Sequence, residues 1–196
     1  MHWTPSEVQE LLDRAHRRSP RKVIHREGLI PAAVLIPLVT PAQETELLLT
    51  LRTDSVETHK GHVSFPGGAV DADDADRVAT ALRETEEELG IPPAGIITIG
   101  ALDDLATPTG FIITPVIGFL RGMPALSPNP GEVAEVFMVP LSYLFTEGNL
   151  RKESRKTEFG LRDTWRCDYE GKVIWGATAA MINDLQTLLL PPSIVV

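Results

Sequence analysis

The segment that most constrains this chain is Arg83-Glu84-Thr85-Glu86-Glu87-Glu88-Leu89-Gly90-Ile91, preceded by the pair Gly67-Gly68. A helix turns about 100° per residue, so Glu84, Glu87 and Glu88 project from one side while Val78, Leu82, Thr85 and Leu89 line roughly the opposite side. Carboxylates this close repel one another unless a cation neutralises them, and hard oxygen donors suit Mg²⁺ or Mn²⁺. The segment reads as a metal site built on an amphipathic helix, with Gly90 as its stop and Gly67-Gly68 placed where backbone can approach a ligand closely. The alternative is a solvated acidic face, the usual role of glutamate-rich helices.

Together these residues resemble the Nudix box, G-x5-E-x7-R-E-U-x-E-E-x-G-U with U aliphatic. Counting back from Arg83, the upstream glutamate falls on Ala75, and the nearest acid is Asp74, one residue earlier; the loop before the helix carries a single insertion, and Thr85 occupies an aliphatic position. The resemblance implies an α/β fold, a Nudix-type α/β/α sandwich with a mixed sheet, in a single domain spanning 1–196. It implies Mg²⁺ or Mn²⁺ as cofactor, with Glu84, Glu87 and Glu88 as ligands and Gly68 supplying a carbonyl. Arg83 would orient a carboxylate through a bidentate contact that lysine cannot make. The base that activates water is either the box residue Glu87 or a later glutamate. Glu132 and Glu135 are the later candidates, and a solvent-facing strand position is the alternative for each.

A second signal lies just upstream. Leu48-Leu49-Thr50-Leu51-Arg52, then Gly61, then Phe65-Pro66-Gly67-Gly68 resembles the signature of the coenzyme A pyrophosphatase branch, L-L-T-x-R-[SA]-x3-R-x3-G-x3-F-P-G-G. Thr53 replaces Ser or Ala, and Glu57 stands where the second arginine is expected, which reverses the local charge; Lys60 or the basic N-terminal stretch could substitute. Thr107-Pro108-Thr109-Gly110-Phe111 and Trp175-Gly176-Ala177-Thr178-Ala179 are further features of that branch. By this resemblance Arg52, Lys60, Gly61, Phe65 and Gly67 bind substrate, although Phe65 and Trp175 are also residues that normally fill a core. His59 and His62 flank Gly61 and could touch phosphate, or simply be hydrated. The implied reaction converts coenzyme A or a derivative into 3′,5′-ADP and 4′-phosphopantetheine. The rivals are hydrolysis of another nucleoside diphosphate derivative, such as ADP-ribose, a dinucleotide or an oxidised nucleotide, and a non-catalytic nucleotide-sensing module.

Composition narrows the partners. With 196 residues, 43% of them hydrophobic, the chain can bury one sizeable core. A net charge of −9 disfavours nucleic acid and anionic membrane as partners. There is no long apolar run and no signal-peptide pattern, so a cytoplasmic protein is expected, and a homodimer is compatible with the sequence. The single cysteine, Cys167, reads as a structural thiol.

Along the chain, Thr4-Pro5-Ser6-Glu7 reads as a capping box for a helix over about 5–17. The cations Arg14, Arg17, Arg18, Arg21, Lys22 and Arg26 read as a solvated surface or as a face toward an anionic substrate. Strands are expected at Ala32–Val39, with Pro37 marking a bulge or edge, and at Leu47–Arg52, Ile96–Leu102, Phe111–Leu120 and Val133–Val139, with an irregularity at Thr114-Pro115. The box helix is expected from near Asp74 to Leu89, and Pro124–Glu132 as a loop. The charged stretch 146–162 reads as a mobile connection or long hairpin, Trp165–Tyr169 and Lys172–Trp175 as a hairpin around Glu170-Gly171, and Ala177–Leu190 as a last helix ending at Pro191-Pro192.

Overall fold

The computed structural model of the chain describes residues 1–42, 44–53, 61–157 and 160–190. In order they form α1 (Pro5–Arg18), β1 (Ile30–Val39), β2 (Glu46–Arg52), β3 (Val63–Ser64), β4 (Gly67–Ala69), α2 (Arg77–Leu89), a 3₁₀ turn (Pro93–Gly95), β5 (Ile96–Ala101) and β6 (Leu105–Ala106). They continue with β7 (Phe111–Leu120), β8 (Val133–Pro140), the short α3 (Leu141–Leu144), β9 (Arg151–Thr157), β10 (Gly160–Tyr169), β11 (Lys172–Trp175) and α4 (Gly176–Leu189).

The main sheet is mixed. Its central pair, β1 and β7, runs parallel from Ile30↔Phe111 to Leu38↔Phe119, and the remaining pairings are antiparallel. The other edge of β1 is shared between β4, at residues 32–34, and β2, at residues 38–39. Pro37 stands at that fork and neither bulges the strand nor lies at the sheet edge, since its register with Gly118 is unbroken. The reason is geometric. The Leu35 N–H bonds the Pro66 carbonyl, so residue 37 turns its nitrogen toward the same side, in the gap between β4 and β2 where no donor is needed. Pro115 repeats the device: its carbonyl accepts from the Leu102 N–H, which places its nitrogen where β5 gives way to β6 along the outer edge of β7.

Strand alternation divides the core into two layers. Ala33, Leu35 and Val39 of β1 and Leu48 of β2 pack with Ala81 and Leu89 of α2. Ile36 and Leu38 of β1 and Leu47 and Leu49 of β2 face the opposite way, onto Val8 and Leu12 of α1 and Ile182 and Leu185 of α4. The architecture is an α/β/α sandwich. Burying each aliphatic side chain of α1 against the sheet contributes about 1.5–3 kcal/mol, and the helix begins with the expected capping box, Thr4 N–H to Glu7 Oε2 at 2.9 Å and Glu7 N–H to Thr4 Oγ1 at 3.3 Å. No helix among the described residues is long and apolar enough to cross a membrane.

Two stretches depart from the sequence reading. Arg21 is not part of a solvated basic face: its Nε donates to the Leu102 carbonyl at 2.8 Å and its Nη2 pairs with the buried Asp104, which also accepts from Thr114 Oγ1 at 2.7 Å. The link that follows α1 is thereby fastened to the loop after β5. The charged stretch beginning at residue 146 contains β9, which joins β10 and β11 in a separate antiparallel sheet, so the long-hairpin alternative describes it. Arg151 of β9 pairs with Asp168 across that sheet and Arg166 pairs with it along β10, each at 2.6 Å. Cys167 on its inner side is fully buried, and burial pushes its thiol up to about 11, as fits a structural residue.

Candidate active site

The box helix α2 is shorter at its start than the sequence reading has it. Asp76 caps it, accepting from the Ala79 N–H at 2.9 Å, and Gly90 ends it in the left-handed conformation at φ 71°. Its inner side carries Ala81 and Leu89, and Thr85 takes an aliphatic place there because its hydroxyl is satisfied by the Ala81 carbonyl at 2.6 Å. The box carboxylates are not all on the outer side. Glu88 is only 2% exposed, closed over by β2 and by the loop that precedes β8.

Asp74 is released from the helix for another task. Arg83 grips it with both arms, Nε to Oδ1 and Nη2 to Oδ2, each at 2.9 Å. The same guanidinium donates to Glu84 Oε1 at 2.8 Å, Glu87 Oε2 at 3.1 Å and the Ala69 carbonyl at 3.2 Å. This arginine therefore ties the strand β4 to three carboxylates. The Arg83 guanidinium holds the Asp74 carboxyl well below the usual aspartate range, and the Arg83 pKa rises in return. Asp74 is the residue that reading the sequence by the strict box spacing misses. The signal was present: five residues lie between Gly68 and Asp74, as the motif requires, so the extra residue lies between Asp74 and Arg83.

Glu84 lies directly on Gly68. A Cβ there would fall 2.5 Å from the Glu84 carboxyl carbon, so only glycine leaves room for the carboxylate. Burial raises the Glu84 pKa, with the Arg83 contact working the other way. Glu88 has a harsher setting. Burial pushes its carboxyl up to about 8, the Arg52 guanidinium opposes that, the charges of Glu132 and Glu84 add to it, and the Gly67 N–H pulls it down again. Arg52 Nη1 lies 3.6 Å from Glu88 Oε1, and Glu88 Oε2 is buried with no partner.

The loop before β8 is latched to both sides of this cluster. Ser127 and Asn129 N–H groups bond the Leu89 and Glu88 carbonyls at 2.8 and 2.9 Å, while the Thr53 N–H bonds the Glu132 carbonyl at 3.0 Å and Thr53 Oγ1 bonds that of Gly131 at 3.0 Å. Asn129 Nδ2 holds Glu132 Oε1 at 3.1 Å. Glu135 lies elsewhere. It pairs with Leu51 on the strand face opposite α2, alongside Phe137 and Val139, and its carboxylate bonds Lys172 of β11 at 3.0 Å.

The same stretch of chain is matched as a whole by a known domain: a family model for the NUDIX domain covers residues 29–158. The chain belongs to the Nudix family. Among its relatives, uncharacterized Nudix hydrolase NudL of Pectobacterium atrosepticum is 39% identical over 157 residues, covering 79% of this chain and 80% of the relative. The NudL of Escherichia coli (strain K12) is 37% identical over 187 residues, covering 94% and 96%. A MutT/nudix family protein from Enterococcus faecalis shares the fold with TM-score 0.51 and 15% identity over 96% of this chain and 75% of that one. A C. elegans Ap4A hydrolase complex does so with TM-score 0.50 and 21% identity, over 57% and 80%.

The residues at the centre of this Nudix hydrolase fit a divalent cation. The donors are hard oxygens, one buried carboxylate oxygen of Glu88 is unpartnered, and the Glu84 carboxylate rests on a glycine that leaves it space. Among the described residues no three acidic, histidine or cysteine side chains converge as a closed cage, and Glu87, about half exposed, is turned to Arg83. Mg²⁺ is commonly held by one or two carboxylates together with water and substrate phosphates, so an open half-site of this kind suits it.

The other expected residues of this Nudix site divide. Arg52 and Gly67 lie against Glu88. Phe65 is 2% exposed and packs in the core facing α4, the core-filling alternative of the sequence reading. Gly61 is an exposed left-handed turn residue. Lys60, Glu57 and His59 lie outside the described residues. Trp175 stacks edge-on with His62 at 5.0 Å, and Thr178 Oγ1 donates to the Val63 carbonyl at 3.1 Å, which pins β3 to the start of α4.

Proposed function

We propose that this Nudix hydrolase cleaves the diphosphate of coenzyme A or its derivatives to 3′,5′-ADP and the 4′-phosphopantetheine product, using Mg²⁺ or Mn²⁺. The observation that carries the reading is the convergence of two motifs. Arg52 from the upstream signature stands against Glu88 of the box, and Phe65-Pro66-Gly67-Gly68 delivers the glycine on which Glu84 rests. The two signatures thus furnish one site.

A bound divalent cation supplies charge neutralisation on the diphosphate and acidification of a water molecule. Glu84 and Glu88, with the Gly68 carbonyl, would hold it, and Glu87 would complete the set by turning from Arg83. Arg83 fixes the direction of Glu84 from one side and anchors itself on Asp74 from the other. Glu132 is the better placed of the two late glutamates to accept the proton of the attacking water: its charge is felt by both Glu84 and Glu88, and with Oε1 held by Asn129, Oε2 is the oxygen that takes the proton. Arg52 offers its guanidinium to the phosphates.

The test is a panel of coenzyme A, 3′-dephospho-coenzyme A, ADP-ribose, NADH and diadenosine polyphosphates with Mg²⁺ or Mn²⁺, read by product identity. Release of 3′,5′-ADP from coenzyme A as the preferred reaction is the expected result. Preferential cleavage of ADP-ribose or a dinucleotide would select the second reading, which Glu57 favours by placing an anion where the coenzyme A signature has an arginine. Absence of turnover across the panel would select a ligand-sensing module.

A further inference from the structure

The two arginines of the site are mated very differently. Arg83 makes five short contacts, all within 3.2 Å. Arg52 approaches Glu88 only to 3.6 Å, beyond hydrogen-bond reach for N–H and O, and the pair leaves one polar atom on each side, Arg52 Nε and Glu88 Oε2, buried without a partner. With Glu88 ionised, such a pair has Coulomb attraction but not the hydrogen bonds that would lock it. The surroundings are negative, since Glu84 and Glu132 both act on Glu88. Exposure is also uneven: the Glu88 side chain is 3% exposed and the Arg52 side chain 23%, so the arginine has a path outward that the carboxylate lacks.

We propose that Arg52 is the resting counter-ion of Glu88 and that a divalent cation takes over this place, releasing the guanidinium to bind an anionic phosphate of the substrate. A cation bound at Glu88 meets the Arg52 guanidinium as a like charge, and the unmade bonds of the pair make the exchange inexpensive. Thr53, the next residue, is clipped to Gly131 and Glu132, so the β2 backbone stays fixed while the long side chain moves. Cation arrival and substrate capture are thereby coupled through one side chain on β2. The inference rests on the reading of Glu88 as a metal ligand.

The experiment is a Mn²⁺ titration of the full chain by calorimetry, with thermal unfolding in the presence and absence of EDTA, for the parent, Arg52→Met, Glu88→Gln and the double variant. The expected result for Arg52→Met is several-fold tighter Mn²⁺ binding than in the parent. Its metal-free melting temperature should be lower, with the gap closing once Mn²⁺ is added, and KM for the substrate should be raised. A merely structural arginine, or one that aims Glu88 at the metal, predicts weaker Mn²⁺ binding in Arg52→Met, and equal or weaker binding overturns the proposal. If Arg52→Met does not fold, the double variant, which carries no unpaired carboxylate, should recover folding; its failure to do so would make Arg52 a packing residue and overturn the exchange. A parent that binds no Mn²⁺ would instead overturn the metal site itself, and the exchange with it.

Discussion

Arg83 holds Asp74 through two parallel contacts of 2.9 Å, joining the first turn of the loop after β4 to the middle of α2. The contact fixes the guanidinium so that its remaining nitrogen can reach Glu84 and Glu87. Because Asp74 is held well below its ordinary value, its stabilising effect is present above that value of 3.8 and fades as the pH falls beneath it. Asp74→Asn is therefore expected to lower the melting temperature at neutral pH, with the difference from the parent shrinking in acid. Thermal unfolding across that pH range is the check, and identical curves at neutral pH would refute the role.

Arg83→Lys keeps the charge and loses the planar fork. A single ammonium cannot bridge Asp74 by two parallel bonds while also orienting Glu84. Turnover should fall by about a hundredfold, the scale of a misplaced catalytic group. Steady-state kinetics at saturating Mg²⁺ decide it, and a lysine variant as fast as the parent would reduce Arg83 to a generic cation.

Much of this site could be read from residue types and spacing, because a helix with Val78, Leu82 and Leu89 on one side and Glu84 and Glu87 on another has few ways to pack. The strand list was legible because short apolar runs such as Ala32–Val39 and Phe111–Leu120 suit strands buried on both faces. What escaped was long-range. Pro37 and Pro115 look like strand breakers until the forks in the sheet supply places where no N–H is required. The burial of Glu88 depends on β2 and the 127–132 loop, and neither is adjacent in sequence. Arg21 resembles its solvated neighbours and differs only because Asp104 lies opposite.

Gly68→Ala tests the floor beneath Glu84. The added methyl would displace the end of a flexible side chain rather than backbone, so the fold should survive with little change in melting temperature. The loss should appear in catalysis, as a drop of one or more orders of magnitude in kcat/KM, because the displaced carboxylate no longer faces its ligand position. Unchanged kinetics in a folded Ala variant would remove Glu84 from the site.

Glu88→Gln separates stability from activity. With its folded value raised to about 8 from 4.5, the folded state of the metal-free protein holds this proton more tightly than the unfolded chain, so the native state loses stability as the pH rises between those values. Removing the ionisable group removes that loss. In EDTA the variant should melt above the parent by a margin that grows from pH 4.5 toward 8 and then levels, while its turnover with Mg²⁺ falls by orders of magnitude. A variant that melts below the parent throughout would show that the Arg52 contact outweighs the burial of the carboxylate.

The two late glutamates offer the sharpest contrast. Glu132 stands in the loop latched to the end of α2, close enough for its charge to act on Glu84 and Glu88, whereas Glu135 lies across the sheet and pairs with Lys172. General-base removal typically lowers rate by about 10²–10⁴. Glu132→Gln should show a loss in that range in kcat, with the acidic limb of the pH–rate profile altered. Glu135→Gln breaks a half-exposed ion pair worth about 1 kcal/mol at most, so it should lower the melting temperature slightly and leave kcat near the parental value. The comparison needs both variants under identical metal and substrate saturation. If Glu135→Gln were the slower enzyme, the proton would have to travel from the far face of the sheet, and the assignment of the base to the 127–132 loop would be wrong.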